Sequence, residues 1–160
     1  MTAIRALAPD ELDLVEPLWR ALHAHHVPMG EVIAPVRPEN ESWRRRRRQY
    51  EAWVGAGDAV LLLAEDGQRA VGYAAVRVEG GPSTWDVGER VAELETLSVA
   101  PDARGSGIGR DLVAAAREAA ATRGATALFV GVAAANEGAL RFYEREQFRR
   151  FYTYLWQPLG

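Results

Sequence analysis

Val99-Ala100-Pro101-Asp102-Ala103-Arg104-Gly105-Ser106-Gly107-Ile108-Gly109 is the stretch on which the reading of this chain turns. Upstream of it, Leu94 to Val99 reads as a strand. Downstream, Ile108, Leu112, Ala116 and Ala119 recur at helical spacing and run to a stop at Arg123-Gly124. A strand that ends in a glycine-rich turn and opens a helix suits an anion. Glycines let the backbone approach a ligand, and free N–H groups at a helix start carry partial positive charge. Arg104 adds charge-assisted hydrogen bonds. A ligand-free turn uses the same residues, so the loop alone leaves that alternative open. Two nucleotide motifs fail on named residues. A P-loop needs a lysine, and the chain has none. A dinucleotide fingerprint needs a third glycine where Leu112 or Arg110 stands.

Working outward, the pattern predicts one α/β domain over residues 1–160. Ile4, Ala6 and Leu7 make a short strand. Pro9-Asp10 opens a helix carrying Leu12, Val15, Leu18, Trp19 and Leu22, with Asp10 as N-cap and a bend at Pro17. Gly30 to Pro38 is a loop, and a second helix runs from Asn40 to Val54. Ala59 to Ala64 and Ala70 to Val78 form a hairpin about Glu65-Asp66-Gly67, and Val91 to Val99 is a further strand. Leu128 to Val132 has the continuous apolar character of a central strand. Glu137 to Glu146 is a helix, and Phe148 to Trp156 is expected to close the sheet. The order is β-α-α-β-β-β-α-β-α-β.

Composition bounds the function. In 160 residues, 48% are hydrophobic and 26% charged, as in an ordinary globular domain. No apolar run reaches membrane-spanning length, and Met1 to Asp10 lacks signal-peptide character, so the cytoplasm is expected. Cysteine is absent, which excludes disulfides, thiolate metal sites and a cysteine nucleophile. A net charge of −3 argues against a general nucleic-acid binder.

The segment Arg104-x-x-Gly107-x-Gly109, the strand Leu94–Val99 before it, and Asn136 followed by Ala139-Leu140-Arg141-Phe142-Tyr143 together resemble the GNAT superfamily of acyl-CoA N-acyltransferases. The likeness covers essentially the whole chain. It implies a mixed, mostly antiparallel sheet flanked by about four helices and splayed at its central parallel strands. It also implies acetyl-CoA as co-substrate, direct transfer to a primary amine of a small molecule or protein, no metal, and a homodimer as one option. Another acyl-CoA, or a non-catalytic acetyl-CoA-binding domain, stays open. By the resemblance, Arg104, Gly105, Ser106, Gly107, Ile108 and Gly109 hold the pyrophosphate. The backbone at Leu97, Ser98 and Val99 is the rail for pantetheine, with Asn136 bonded to the same arm. One departure is visible: the family usually ends its last helix with Gly-Phe, whereas this chain has Gln147-Phe148.

Aminolysis of a thioester needs a neutral amine, a polarised carbonyl and a proton for the departing thiolate. An aliphatic amine is neutral in only about one molecule per thousand at neutral pH, so a base is useful. Glu93 and Glu95 alternate onto one face of their strand, which simple alternation shares with Leu97 and Val99. The resemblance places Glu93 where some members carry the base, and a bulge common in that strand would alter which glutamate faces the site. Asn136 and Tyr143 lie nearly two turns apart on one helix side. Asn136 also suits an N-cap, and Tyr143 is implied as the acid that protonates the thiolate. For the acceptor, the resemblance points to the first two helices and the loop between the third and fourth strands, hence His26, Trp43, Arg47 and Trp85. On the second helix Arg46 and Arg47 fall between Trp43 and Tyr50, so at least one arginine of the Arg44–Arg48 run is expected along an aromatic seam.

Overall fold

A computed structural model describes all 160 residues. The elements are β1 (Thr2–Ala6), a 3-10 segment (Pro9–Val15), α1 (Glu16–His26), α2 (Glu39–Gly55), β2 (Ala59–Asp66), β3 (Arg69–Gly80), β4 (Arg90–Val99), α3 (Ile108–Thr122), β5 (Leu128–Val130) and α4 (Glu137–Arg145). The five strands lie in sequence order in one sheet, antiparallel except for the parallel pair β4–β5. That pair bonds only from Ala92 to Leu94 against Leu128 to Val130, so the two strands separate beyond Leu94. This is the expected mixed sheet with its parallel splay.

Each face of the sheet buries its own core. On one, Val60, Leu62, Val76, Ala92 and Leu94 pack beneath Ile108, Leu112, Val113 and Ala116 of α3, with Tyr143 of α4. On the other, Leu61, Leu63, Tyr73 and Ala75 pack against Leu12, Val15, Leu18, Trp19, Trp43 and Tyr50. The unbroken apolar run of β2 follows from burial on both sides. Gly72 lets α3 lie close on β3: a Cβ there would stand 3.0 Å from Leu112 Cδ1 and 3.1 Å from both Ile108 Cγ2 and Ser98 O. No helix is long and apolar enough to cross a membrane.

Several expectations are corrected. Asp10 caps nothing. The Glu11 carboxylate instead accepts the Ala8 N–H at 2.8 Å, closing a 3-10 turn rather than an α-helix. Pro17 does not bend a helix; it sits in the first turn of α1, where its missing N–H has no partner to lose. β5 is three residues long, half-buried and at the sheet edge, not central. Phe148 to Trp156 forms no strand: the last backbone hydrogen bond is Phe148 N–H to Tyr143 O. The aromatic run lies beside β5 through ring contacts instead. Phe151 packs edge-on to Phe129 at 4.9 Å and Trp85 at 6.1 Å, and Trp85 Nε1 donates to Tyr152 Oη at 2.9 Å. Gln147, by contrast, closes α4 as a glycine would, at φ +67°, the one non-glycine residue with positive φ.

Candidate active site

The anion-binding end is made of main chain. Gly107 caps α3 at φ +91°, a conformation that L side chains resist, and Gly105 precedes it at φ +78°. The first amide of α3 to find an acceptor is that of Asp111, which donates to Gly107 O at 3.0 Å; the N–H groups from Arg104 to Arg110 donate to no other backbone group. A row of free amides at a helix start is the donor array a pyrophosphate needs. Ser106 Oγ is turned inward and donates to Ala103 O, which braces the loop. Ile108 is buried and anchors the helix start in the core.

The splay supplies a rail. Ala100 N–H donates across to Val71 O at 2.8 Å, so by alternation the amides of Val99 and Leu97 face the other edge, where β5 has left. Arg104 Nε reaches the Val99 carbonyl at 3.3 Å. Ser98 differs from its neighbours: its backbone turns toward β3, and its buried hydroxyl donates to Leu18 O at 2.8 Å, tying α1 to β4.

A bulge decides where the carboxylates point. Ala75 pairs with Thr96 but Val76 pairs with Leu94, leaving Glu95 as an extra residue. After it the alternation is inverted. Glu93, Glu95, Thr96 and Ser98 face α1 and α2, whereas Leu97 and Val99 pack with the α3 core. The two glutamates therefore share a face, but not with Leu97 and Val99. Their surroundings differ too. Glu95 Oε1 accepts from Arg77 Nε at 2.7 Å, and Oε2 lies 4.0 Å from Arg46 Nη1. Glu93 has no ion-pair partner within 4.0 Å and stands near Gly131 at the mouth of the splay. Burial pushes its carboxyl above the usual range, with Glu95 and Glu79 adding to the rise and Arg77 and Arg46 opposing it.

Tyr143 and Asn136 project from α4. The Tyr143 ring packs edge-on to Phe142 and Phe148 at 5.1 and 5.4 Å, its hydroxyl bonds no protein group, and burial raises it well above the ordinary phenol range. It is a neutral O–H throughout the physiological range. Asn136 is the N-cap, its Oδ1 accepting from Ala139 N–H at 3.1 Å.

The four residues expected at the acceptor are not brought together. Trp43 is buried against Trp19 at 6.5 Å. Arg47 is held by Asp13 at 3.1 Å and by Glu51, away from the seam. His26 is partly buried and lines a cavity of ≈ 180 Å³ with Met29, Ile33 and Ala133, and burial lowers its pKa. Trp85 stands half-exposed on the β3–β4 loop beside the C-terminal run. The arginine on the seam is Arg46, its guanidinium 5.2 Å from the Trp19 ring, 5.6 Å from Tyr50 and 6.0 Å from Trp53. Arg77, 5.0 Å from the Trp53 ring, went unread in the sequence; alternation with Tyr73 and Ala75 along β3 was the available signal.

The model of the Acetyltransferase (GNAT) family matches residues 19–148, and the chain belongs to that family. A mycothiol acetyltransferase of Rhodococcus jostii is 35% identical over 120 residues, 72% of this chain. The chain spans only 38% of that relative's length. Among solved structures, an aminoglycoside N-acetyltransferase in complex with CoA matches with a TM-score of 0.78 at 16% identity, covering 99% of this chain and 94% of the other. A GCN5-related N-acetyltransferase from Ralstonia eutropha also matches at 0.78, with 19% identity and 99% of each chain covered. These structural likenesses establish the fold.

Proposed function

We propose that the chain transfers an acetyl group from acetyl-CoA to a primary amine, directly, with donor and acceptor bound together. The observation that carries the reading is the run of free amides from Arg104 to Arg110, which follows directly on the open edge of β4, the strand that also carries Glu93. The loop amides and Arg104 grip the pyrophosphate, and the Leu97 and Val99 amides and Asn136 hold the pantetheine arm. Bound acetyl-CoA supplies an activated thioester. From the α1/α2 side, Glu93 takes a proton from the incoming ammonium, either directly or through water, helped by its raised affinity for protons. An N–H on the open edge of β4 stabilises negative charge on the carbonyl oxygen. As the C–S bond breaks, Tyr143 delivers its hydroxyl proton to the departing sulfur. The second proton, lost by the nitrogen as it becomes an amide, passes through water to restore the phenol. Glu95, paired with Arg77, holds Arg46 beside the site.

The test is calorimetric titration of acetyl-CoA, followed by thiol release with a panel of amines. Micromolar binding and amine-dependent thiol release are expected. Binding without release to any amine would leave a carrier or sensor domain instead, and no binding would remove the reading.

A further inference from the structure

On the acceptor side of the sheet lies a groove of ≈ 590 Å³, walled by Trp19 and Trp53 and lined by Arg37, Arg45, Arg46 and Arg48. Its charged chemistry is one-sided: all four ionic side chains that line it are guanidinium groups, which donate hydrogen bonds and accept none, and Ser42 and Gln49 are the lining side chains that can accept. Trp19 is 8% exposed, and its Nε1 is the only buried side-chain polar atom without a hydrogen-bond partner. That nitrogen is out of solvent contact, so the donors a ligand in the groove meets are the guanidinium groups.

Charge leans the same way. Arg37 and Arg45 share one carboxylate, Glu41, at 3.4 and 2.9 Å. Arg48 has none within 4.0 Å, and Arg46 has only Glu95, at that limit. Arg46 also connects the groove to the chemistry: its guanidinium borders Trp19 and Trp53 and reaches the bulge residue two positions from Glu93. An amine at Glu93 can therefore extend its remaining atoms past Arg46 into the groove.

The geometry points to an acceptor that carries an anionic group, a carboxylate or a phosphate, joined to its amine by a carbon body long enough to pass Arg46 and reach the arginines of the groove. This deepens the acetyltransferase reading and rests on it. It also separates this chain from its aminoglycoside-acetylating structural neighbours, since a polycationic acceptor meets four arginines here.

Three acceptor pairs or probes test it: ω-aminocarboxylates against their amides, O-phosphoethanolamine against ethanolamine, and an aminoglycoside as the polycation. With acetyl-CoA saturating, the anionic member is expected to exceed its neutral partner in kcat/KM by about tenfold or more. Which pair shows the larger ratio tells carboxylate from phosphate. Arg48→Glu and Arg45→Glu, both solvent-exposed where they line the groove, should collapse that ratio toward one, whereas Arg149→Glu on the C-terminal segment should leave it intact. The same compounds are titrated against tryptophan fluorescence with CoA present, so a pair without turnover still reports through Trp19 and Trp53. A ratio near one together with no fluorescence response to any anionic member overturns the proposal. So does preference for the polycation, or a ratio that survives both charge reversals. Failure of acetyl-CoA to bind sinks the acetyltransferase reading alone, because the anionic probes still report on the groove.

Discussion

The two faces of the sheet are built by different means. Toward α3 and α4 the core is apolar and the candidate ligand contacts come from main chain, namely the amides of Arg104 to Arg110 and the open edge of β4. Toward α1 and α2 the core is threaded with polar side chains: Tyr50 Oη lies 2.6 Å from Thr96 Oγ1 and 3.1 Å from Tyr73 Oη, and Arg46 and Arg77 stack on indoles beside Glu95. In the proposed reading, main chain recognises what every member of the family shares, the pyrophosphate and the pantetheine arm. Side chains recognise what differs from one acceptor to the next. One β-bulge joins the two, turning Glu93 and Glu95 to the polar face while Leu97 and Val99 stay with the apolar one.

The largest effect should come from the proposed proton acceptor on the polar face. Glu93→Gln is expected to lower kcat by about a thousandfold with acetyl-CoA affinity unchanged, read by steady-state thiol release. The acidic limb of the kcat/KM profile should lie above the ordinary glutamate range in the wild type, because activity is lost as pH falls through a raised pKa, and this limb should vanish in the variant. Stability moves the other way. A carboxyl whose folded pKa is raised contributes stability fully below its unfolded pKa and loses it as pH rises through the folded value. At neutral pH the ionised Glu93 is therefore a net cost. The variant should melt slightly higher than wild type near pH 7, the difference shrinking by about pH 4. Equal turnover in the two proteins would move the base elsewhere on this face, with Glu95 first in line.

On the apolar face, Tyr143→Phe keeps the ring contacts with Phe142 and Phe148 and removes only the O–H. A loss of about a hundredfold in kcat with unchanged acetyl-CoA binding is expected. Gly107→Ala tests the main chain itself. A Cβ there meets only the Arg110 side chain, at 3.6 Å, so the damage comes from φ +91° rather than from a clash. At roughly 1–2 kcal/mol for a side chain in that region, acetyl-CoA should bind about tenfold more weakly, with kcat at saturation little changed. A fall in kcat larger than the fall in affinity would mean that the loop shapes the reacting end as well.

The same division governs what the sequence makes legible. Backbone recognition requires residues that leave the backbone bare, so Gly105, Gly107 and Gly109 announce the loop. Period-3.6 spacing announces α3, and Asn136 with Tyr143 shares one side of α4. The acceptor face is assembled from elements far apart in the chain, and single residues decide it. Whether Arg46 or Arg47 lies on the seam depends on a difference of one position along α2, which Asp13 and Glu51 settle by capturing Arg47. The face chosen by Glu93 depends on a bulge whose extra residue carries no sequence mark. Nor do aromatic residues with high strand propensity guarantee a strand: Phe151 and Tyr152 satisfy themselves on Phe129 and Trp85, and the backbone from Arg149 onward forms no ladder.

The smallest effects on stability belong to the two ends of α4, Asn136 and Gln147, which flank the turn carrying Tyr143. Asn136→Ala removes the hydrogen bond to Ala139 N–H and should cost about 1 kcal/mol, a fall in Tm of roughly 3 °C for a chain of this size. At the other end Gln147 occupies φ +67°, where a glycine is at ease and a glutamine is strained. Gln147→Gly should therefore raise Tm by a similar amount, the strain relieved outweighing the added freedom of the unfolded chain. Because Phe148, which packs on Tyr143, follows directly, the gain should come with kcat unchanged. A gain in Tm bought with lost turnover would show that the strained turn tensions the ring stack behind Tyr143, and would make Gln147 part of the positioning of the acid rather than a local departure at a helix end.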